Sequence, residues 1–176
     1  MALNWVTLDE MSSRPLPLDD ERFLHSVQNA ALTLDFSGSA KASYKATGRA
    51  FVTSRRVVFL IHPMPPPPPP GAPPPTSLHS LSVPHDHFQN FRYIIPIFSA
   101  AYLEAEVFPV TGGGLPQRQT GEPETPKGKL KIWFNEGGGV AFRDAVERAK
   151  KEWEEVKAKQ ADEDALPAYE PPSGQS

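Results

Sequence analysis

The chain has 176 residues, 39% hydrophobic and 22% charged, which is a globular composition for one domain with appendages. Formal charge is −3, and Asp162, Glu163, Asp164 and Glu170 account for four negative charges, so the remainder sits near +1; the clearly basic domain of a direct DNA binder is missing. The absence of cysteine excludes disulfides and thiolate metal sites and gives no sign of an oxidising compartment.

The N-terminal MALNWVTLDEM has no basic flank and no apolar stretch of signal-peptide length, and the longest apolar run in the chain is Val57 to Ile61. Neither a signal peptide nor a membrane span is expected, and an intracellular setting is the default. In residues 30–36, Leu32, Leu34 and Phe36 alternate with Thr33 and Asp35, the period of a half-buried strand that Gly38 and Ser39 end. ATGRAFVT (46–53) and RVVFLIH (56–62) are β-branched and aromatic and are separated by Ser54-Arg55, so they predict a hairpin.

Residues 63–75 hold 10 prolines in 13. Proline cannot donate ladder hydrogen bonds, so an extended, solvated polyproline II loop insertion is expected. Strand character resumes in SLHSLSV (77–83), without strict alternation. Residues 102–108 and 129–134 alternate cleanly: Leu103, Ala105 and Val107 oppose Glu104 and Glu106, and Leu130, Ile132 and Phe134 oppose Lys129 and Lys131. Both predict antiparallel strands with one wet face. Between them, 111–128 is rich in Gly, Pro and polar residues and reads as a flexible loop.

The second glycine run, Gly137 to Gly139, opens a helix in which Phe142, Ala145, Val146, Ala149, Trp153 and Val156 recur at threes and fours. Glu147/Lys151 and Glu155/Lys159 are favourable i,i+4 pairs. Trp153 is expected to be the largest anchor of this helix on the sheet. Antiparallel strands followed by one amphipathic helix give an α+β, mainly β fold: a PH-like antiparallel β-sandwich or open barrel capped by the C-terminal helix, over residues 1–160. Residues 161–176 read as a disordered tail.

The candidate chemistry is sparse. His85-Asp86-His87 could offer two imidazoles to a metal, but no third ligand pattern stands nearby and loop or surface histidines fit as well. The serines lie in no nucleophile elbow, and the glycine runs match neither dinucleotide nor P-loop spacing. No enzyme, cofactor or metal is expected. Lys41, Lys45, Arg49, Arg55 and Arg56 form the one basic cluster, a candidate contact for anionic lipid headgroups or an ordinary solvated edge. Pro65, Pro66, Pro67, Pro68, Pro69 and Pro70 could enter the aromatic groove of an SH3 or profilin-type protein, or act as a spacer. In the tail, Leu166, Pro167 and Tyr169 of LPAY fit what a WW groove takes, a proline slot and a tyrosine slot.

GRAFVTSRRVVFL (48–60), LSVPHDHFQNF with IIPIFSAAYLEAEV (81–107), the glycines at 112–114 and KLKIWFNEGGGVAF (129–142) together resemble the WW-domain-binding protein 2 family. The resemblance covers most of residues 1–150 and implies a GRAM domain, itself PH-like, in a protein that binds WW domains and acts as a nuclear transcriptional coactivator. That family's Pro-Pro-x-Tyr motif falls on Leu166, Pro167, Ala168 and Tyr169, with Leu166 in place of the first proline and one motif where several are usual; the proline insertion is a further departure. The expected function is a non-enzymatic adaptor. Its partners would be a WW-bearing HECT-type ubiquitin ligase or transcriptional regulator, with chromatin reached only indirectly. The alternative is a phosphoinositide or membrane-surface module.

Overall fold

The computed structural model describes residues 1–9, 11, 14–37, 41–66, 68–73, 75–118 and 126–164. Eight strands lie in one antiparallel sheet: β1 (Ala2–Leu3), β2 (Phe23–Phe36), β3 (Ala42–Thr53), β4 (Arg56–Ile61), β5 (Ser80–Pro84), β6 (Phe88–Ile94), β7 (Tyr102–Val107) and β8 (Gly128–Phe134). Their spatial order is β1-β5-β4-β3-β2-β8-β7-β6, and the sheet curls into a half-barrel whose inner face is filled by α1 (Gly139–Asp164).

Strand β2 is the hinge of this arrangement. Over its 14 residues it pairs with β3, and its second half, Ala30 to Phe36, pairs also with β8. The register shifts between Val27 and Ala30, and such an irregularity bends a strand and increases its twist. Inside the bend, Leu32, Leu34, Val52, Phe59, Leu81, Leu103, Leu130 and Ile132 form one core with Phe142, Ala145, Val146 and Ala149 of the helix. Gly137 and Gly138 take positive φ (85° and 81°) to turn the chain from β8 into α1, a conformation that costs glycine little.

A smaller cluster covers part of the outer face. Phe51, Val58 and Leu60 point away from the helix and are packed by Val6, Leu8 and Met64. The N-terminal segment and the start of the proline insertion therefore form a lid over β3 and β4, and the rest of the outer face is left to solvent.

Several expectations from sequence change. Residues 23–29 extend β2 seven positions before the predicted start, since pairing with β3 holds them where alternation is weak. Strand β6 was not expected: Asn90 has φ 50° and a register shift separates Gln89 from Arg92, so its side chains break the period of two. The predicted 77–83 strand forms at Ser80–Pro84. The proline insertion is not one extended rod, because Ala72 N donates to Pro69 O (3.1 Å) across a turn at Pro70-Gly71, with Gly71 at φ 84°; proline followed by a positive-φ glycine is the type II turn pattern. The start of the 111–128 loop is anchored: Leu3 N donates to Gly113 O (2.8 Å), Val110 N donates to Met1 O (2.9 Å), and Leu115 is buried. Phe142, not Trp153, is the fully buried aromatic of α1.

At Gly48, β3 leaves no room for a side chain beside β4. A Cβ there would strike the Leu60 carbonyl on β4, so Gly48→Ala should destabilise the fold by about 1–3 kcal/mol through overpacking, read as a lower urea midpoint with unchanged slope.

Candidate functional site

The cations grouped by sequence are separated by the fold. Lys41 and Lys45 lie near the start of β3, exposed, while Arg55 and Arg56 follow its end; a strand of 12 residues spans roughly 40 Å. They do not form one patch. Arg49 is half-buried and held by an interaction of its own. The Arg55 guanidinium sits 5.8 Å from the Trp153 ring centroid, a cation–π contact that ties the β3–β4 turn to the helix.

Arg56 is corrected outright. Its Nε donates to Glu21 Oε1 (2.8 Å) and its Nη2 to Glu21 Oε2 (3.1 Å) and to Leu16 O (3.1 Å). Both side chains are buried, and Thr53 Oγ1 adds a 2.6 Å bond to Glu21 Oε1. Burial pushes the Glu21 carboxyl up, but the hydrogen bonds from Arg56, the Leu18 N–H and Thr53 outweigh it and hold it below its ordinary value. Arg56 is a structural cation and cannot reach a headgroup.

The histidine pair is also redefined. His85 to His87 form a 3₁₀ turn, and His85 is buried, not on a loop surface, with its ring Nε2 2.9 Å from Thr53 O. That contact requires Nε2 to carry the proton. Burial holds His85 below the ordinary imidazole value, so the neutral ring is favoured. Lys150 Nζ donates to His85 O (2.8 Å) and Phe88 O (2.6 Å), and Lys157 pairs with Asp86 (3.0 Å), docking the helix on this turn. His87 Nδ1 lies 2.8 Å from Phe108 O. Among the described residues, no group of three His, Asp or Glu side chains is placed to hold a metal ion.

What the fold does assemble is the uncovered outer face of β6, β7, β8, β2 and β3. Strand register lines up side chains from all five in rows. The first row is Ile94, Tyr102, Trp133, Ala31 and Thr47; the second is Arg92, Glu104, Lys131, Thr33 and Lys45; the third continues from Glu106 through Lys129 and Asp35 to Ser43. The Tyr102 and Trp133 rings pack at 5.5 Å, and Lys131 Nζ stands 5.2 Å from the Tyr102 ring centroid. Glu104 lies 2.8 Å from Arg92 and 3.5 Å from both Lys129 and Lys131. Burial raises the Glu104 carboxyl, but these partners outweigh it and lower it overall.

Beyond the first row, the β6–β7 loop carries Ile95, Ile97 and Phe98, which are 73%, 89% and 97% exposed. At the other end, an open groove of about 880 Å³ runs past Asp35, Asn90, Arg92, Glu104, Glu106 and Lys129. The wet faces carrying Glu104, Glu106, Lys129 and Lys131 were expected from alternation, whereas their alignment with β6, β2 and β3 and the exposed β6–β7 loop were not. Only Lys45 of the sequence-predicted lipid residues belongs to the rows. Of the proline candidates, Pro65 is half-buried, Pro66 and Pro68 to Pro70 are exposed, and Pro67 lies outside the described residues, as do Leu166, Pro167 and Tyr169.

The curled sheet, its strand order and the helix filling it agree with a solved structure, the Vps36 N-terminal PH domain, at a TM-score of 0.56, 19% sequence identity, and coverage of 85% of this chain and 93% of that one. The fold is PH-like. The chain is also 26% identical over 177 aligned residues to a UPF0664 stress-induced protein of Schizosaccharomyces pombe, covering 98% of this chain and 91% of that protein. No family model matches. The structural likeness carries the PH-like fold, and neither similarity extends to the GRAM subclass or to the WW-domain-binding protein 2 family.

The Glu21–Arg56 pair gives a stability prediction. Because the folded-state pKa of Glu21 is lowered, its contribution is fully present above the unfolded carboxylate range, near 4.3, and is lost as pH falls through the folded value. Glu21→Gln leaves Arg56 buried without its counter-charge and should cost about 3–5 kcal/mol at neutral pH. Thermal melts from pH 7 to pH 3 should show the variant losing less stability on acidification than the parent.

Proposed function

We propose that the chain is a non-catalytic adaptor in which a PH-like body presents one WW ligand, Leu166, Pro167 and Tyr169, to partners bearing WW domains. The observation that supports this reading is the course of α1. Its buried stripe ends at Ala149, Trp153 is half-buried, and from Glu154 through Asp164 every residue is exposed. Lys157 still pairs with Asp86, so the 7 residues after it, Ala158 to Asp164, are about 10 Å of stalk, and the Leu-Pro-Ala-Tyr sequence begins two residues after it.

An exposed helix end of this kind suits a WW ligand in the sequence that follows it, since a WW groove must close around both a Pro and a Tyr ring. WW partners of the HECT-type ubiquitin-ligase or transcription-regulator class fit this arrangement, as does residence in cytoplasm and nucleus, with chromatin reached through the partner. Pro66 and Pro68 to Pro70 are exposed to an SH3 or profilin-type groove, with Pro65 half-buried, on a loop that turns back at Gly71. Of the five cations offered to lipid from sequence, Arg56 is bonded to Glu21 and Arg55 lies against Trp153, while Lys41 and Lys45 are exposed.

Calorimetric titration of the chain against a panel of WW domains should give micromolar binding, about −8 kcal/mol, that Tyr169→Ala abolishes. Phosphorylation of Tyr169 adds about 1.5–2 negative charges and should have the same effect. Failure of every domain to bind, or equal binding by the Tyr169→Ala chain, removes the reading.

A further inference from the structure

A second surface, independent of the tail, is built by the rows on the outer face. Ile97 and Phe98 project almost wholly into solvent from one bend, with Ile95 beside them. Apolar side chains this exposed gain from an occupant that closes around them. Immediately behind the tip stand Ile94, Tyr102 and Trp133, and behind those the row that contains Arg92, Lys131 and Lys45. Successive rows on one strand face are about 7 Å apart.

The sequence of layers is therefore apolar tip, aromatic row, cationic row, and last a row holding Glu106 and Asp35. A bilayer presents the complementary order: hydrocarbon, the interfacial zone where Tyr and Trp concentrate, then phosphate and anionic headgroups. The one carboxylate in the cationic row, Glu104, is only 7% exposed and faces three cations, so the row is net positive. Arg143 on the start of α1, 5.7 Å from the Tyr93 ring centroid, adds a cation near the tip, offset by Asp144 and Glu147. Asp35, exposed, and Glu106, half-buried, sit farthest from the tip, while the exposed Glu136 lies in the β8–α1 turn on the tip side of the first row.

We propose that this outer face docks on an anionic bilayer surface, with the β6–β7 loop inserted to the depth of the aromatic row and Arg92, Lys131 and Lys45 against the headgroups. The depth implied, about 5–10 Å, is that of an interfacial element. The contact uses Lys45 but not Lys41, Arg55 or Arg56, and it depends on residues far apart in sequence.

The test uses the whole chain and vesicles of phosphatidylcholine, alone or with about 30 mol% phosphatidylserine. Because the chain has no cysteine, Phe98→Cys can carry a single environment-sensitive dye, with Lys159→Cys on the helix stalk as the control position. Co-sedimentation should be stronger on the anionic vesicles, about tenfold weaker for the Ile97→Asp/Phe98→Asp chain, and reduced for Lys45→Glu only on anionic vesicles. Thermal melts confirm that each variant is folded, and the dye at 98 should shift to the blue on vesicle addition while the dye at 159 does not. Absence of binding to either vesicle, equal binding by the double-Asp chain, or an unresponsive dye at 98 overturns the proposal. A concentration-dependent dimer in sedimentation that the double-Asp substitution dissolves also overturns it, and assigns the loop to a second copy of the chain.

Discussion

The bend in β2 is the constraint on which the rest of the molecule depends. A flat eight-stranded sheet would leave two solvated faces and no place to bury Phe142, Val146 and Ala149. By pairing with β3 along its length and with β8 along its second half, β2 carries the hydrogen-bond ladder around the corner, and the register shift at Val27 to Ala30 lets the chain turn without abandoning either partner. The inner face thereby becomes a trough of helix width. The same curvature forces the odd-numbered side chains of β3 outwards: Phe51 under the lid of Val6, Leu8 and Met64, Thr53 against Glu21, and Ser43, Lys45 and Thr47 into solvent.

Charge is used in two distinct ways on this frame. At the β3–β4 corner, Glu21 and Arg56 satisfy each other in a buried setting, with Thr53 and the Leu18 N–H taking the remaining hydrogen bonds. Removing one partner would strand the other, so this arrangement is structural. On the outer sheet face, Arg92, Lys129 and Lys131 share one nearly buried carboxylate, and their heads stay at the surface. There the surplus of positive charge is available to a partner. Sequence position alone does not separate these cases, since Arg55, beside Arg56, is spent on the Trp153 ring.

The two proposed contacts are compatible in one molecule. The start of α1 lies by Tyr93 and Phe134, close to the apolar loop, and the helix then runs 26 residues, about 39 Å. A chain seated on a bilayer through Ile97 and Phe98 would carry its helix end away from the membrane, toward soluble WW partners.

Much of the fold was legible in the residues themselves. The alternation of Leu32, Leu34 and Phe36, of Leu103, Ala105 and Val107, and of Leu130, Ile132 and Phe134, with the three-four spacing of Phe142 to Ala149, determined where strands and helix lie and which faces are apolar, because period and face are local properties of a chain. Strand β6 was hidden because its irregular backbone at Asn90 destroys the period. The burial of His85, the capture of Arg56 by Glu21, 35 residues away, and the alignment of Ile94, Tyr102, Trp133, Arg92, Lys131 and Lys45 into rows were decided only by tertiary structure. Register between strands distant in sequence is set by the packing of the whole core, and no local pattern encodes which cation will stand beside which ring.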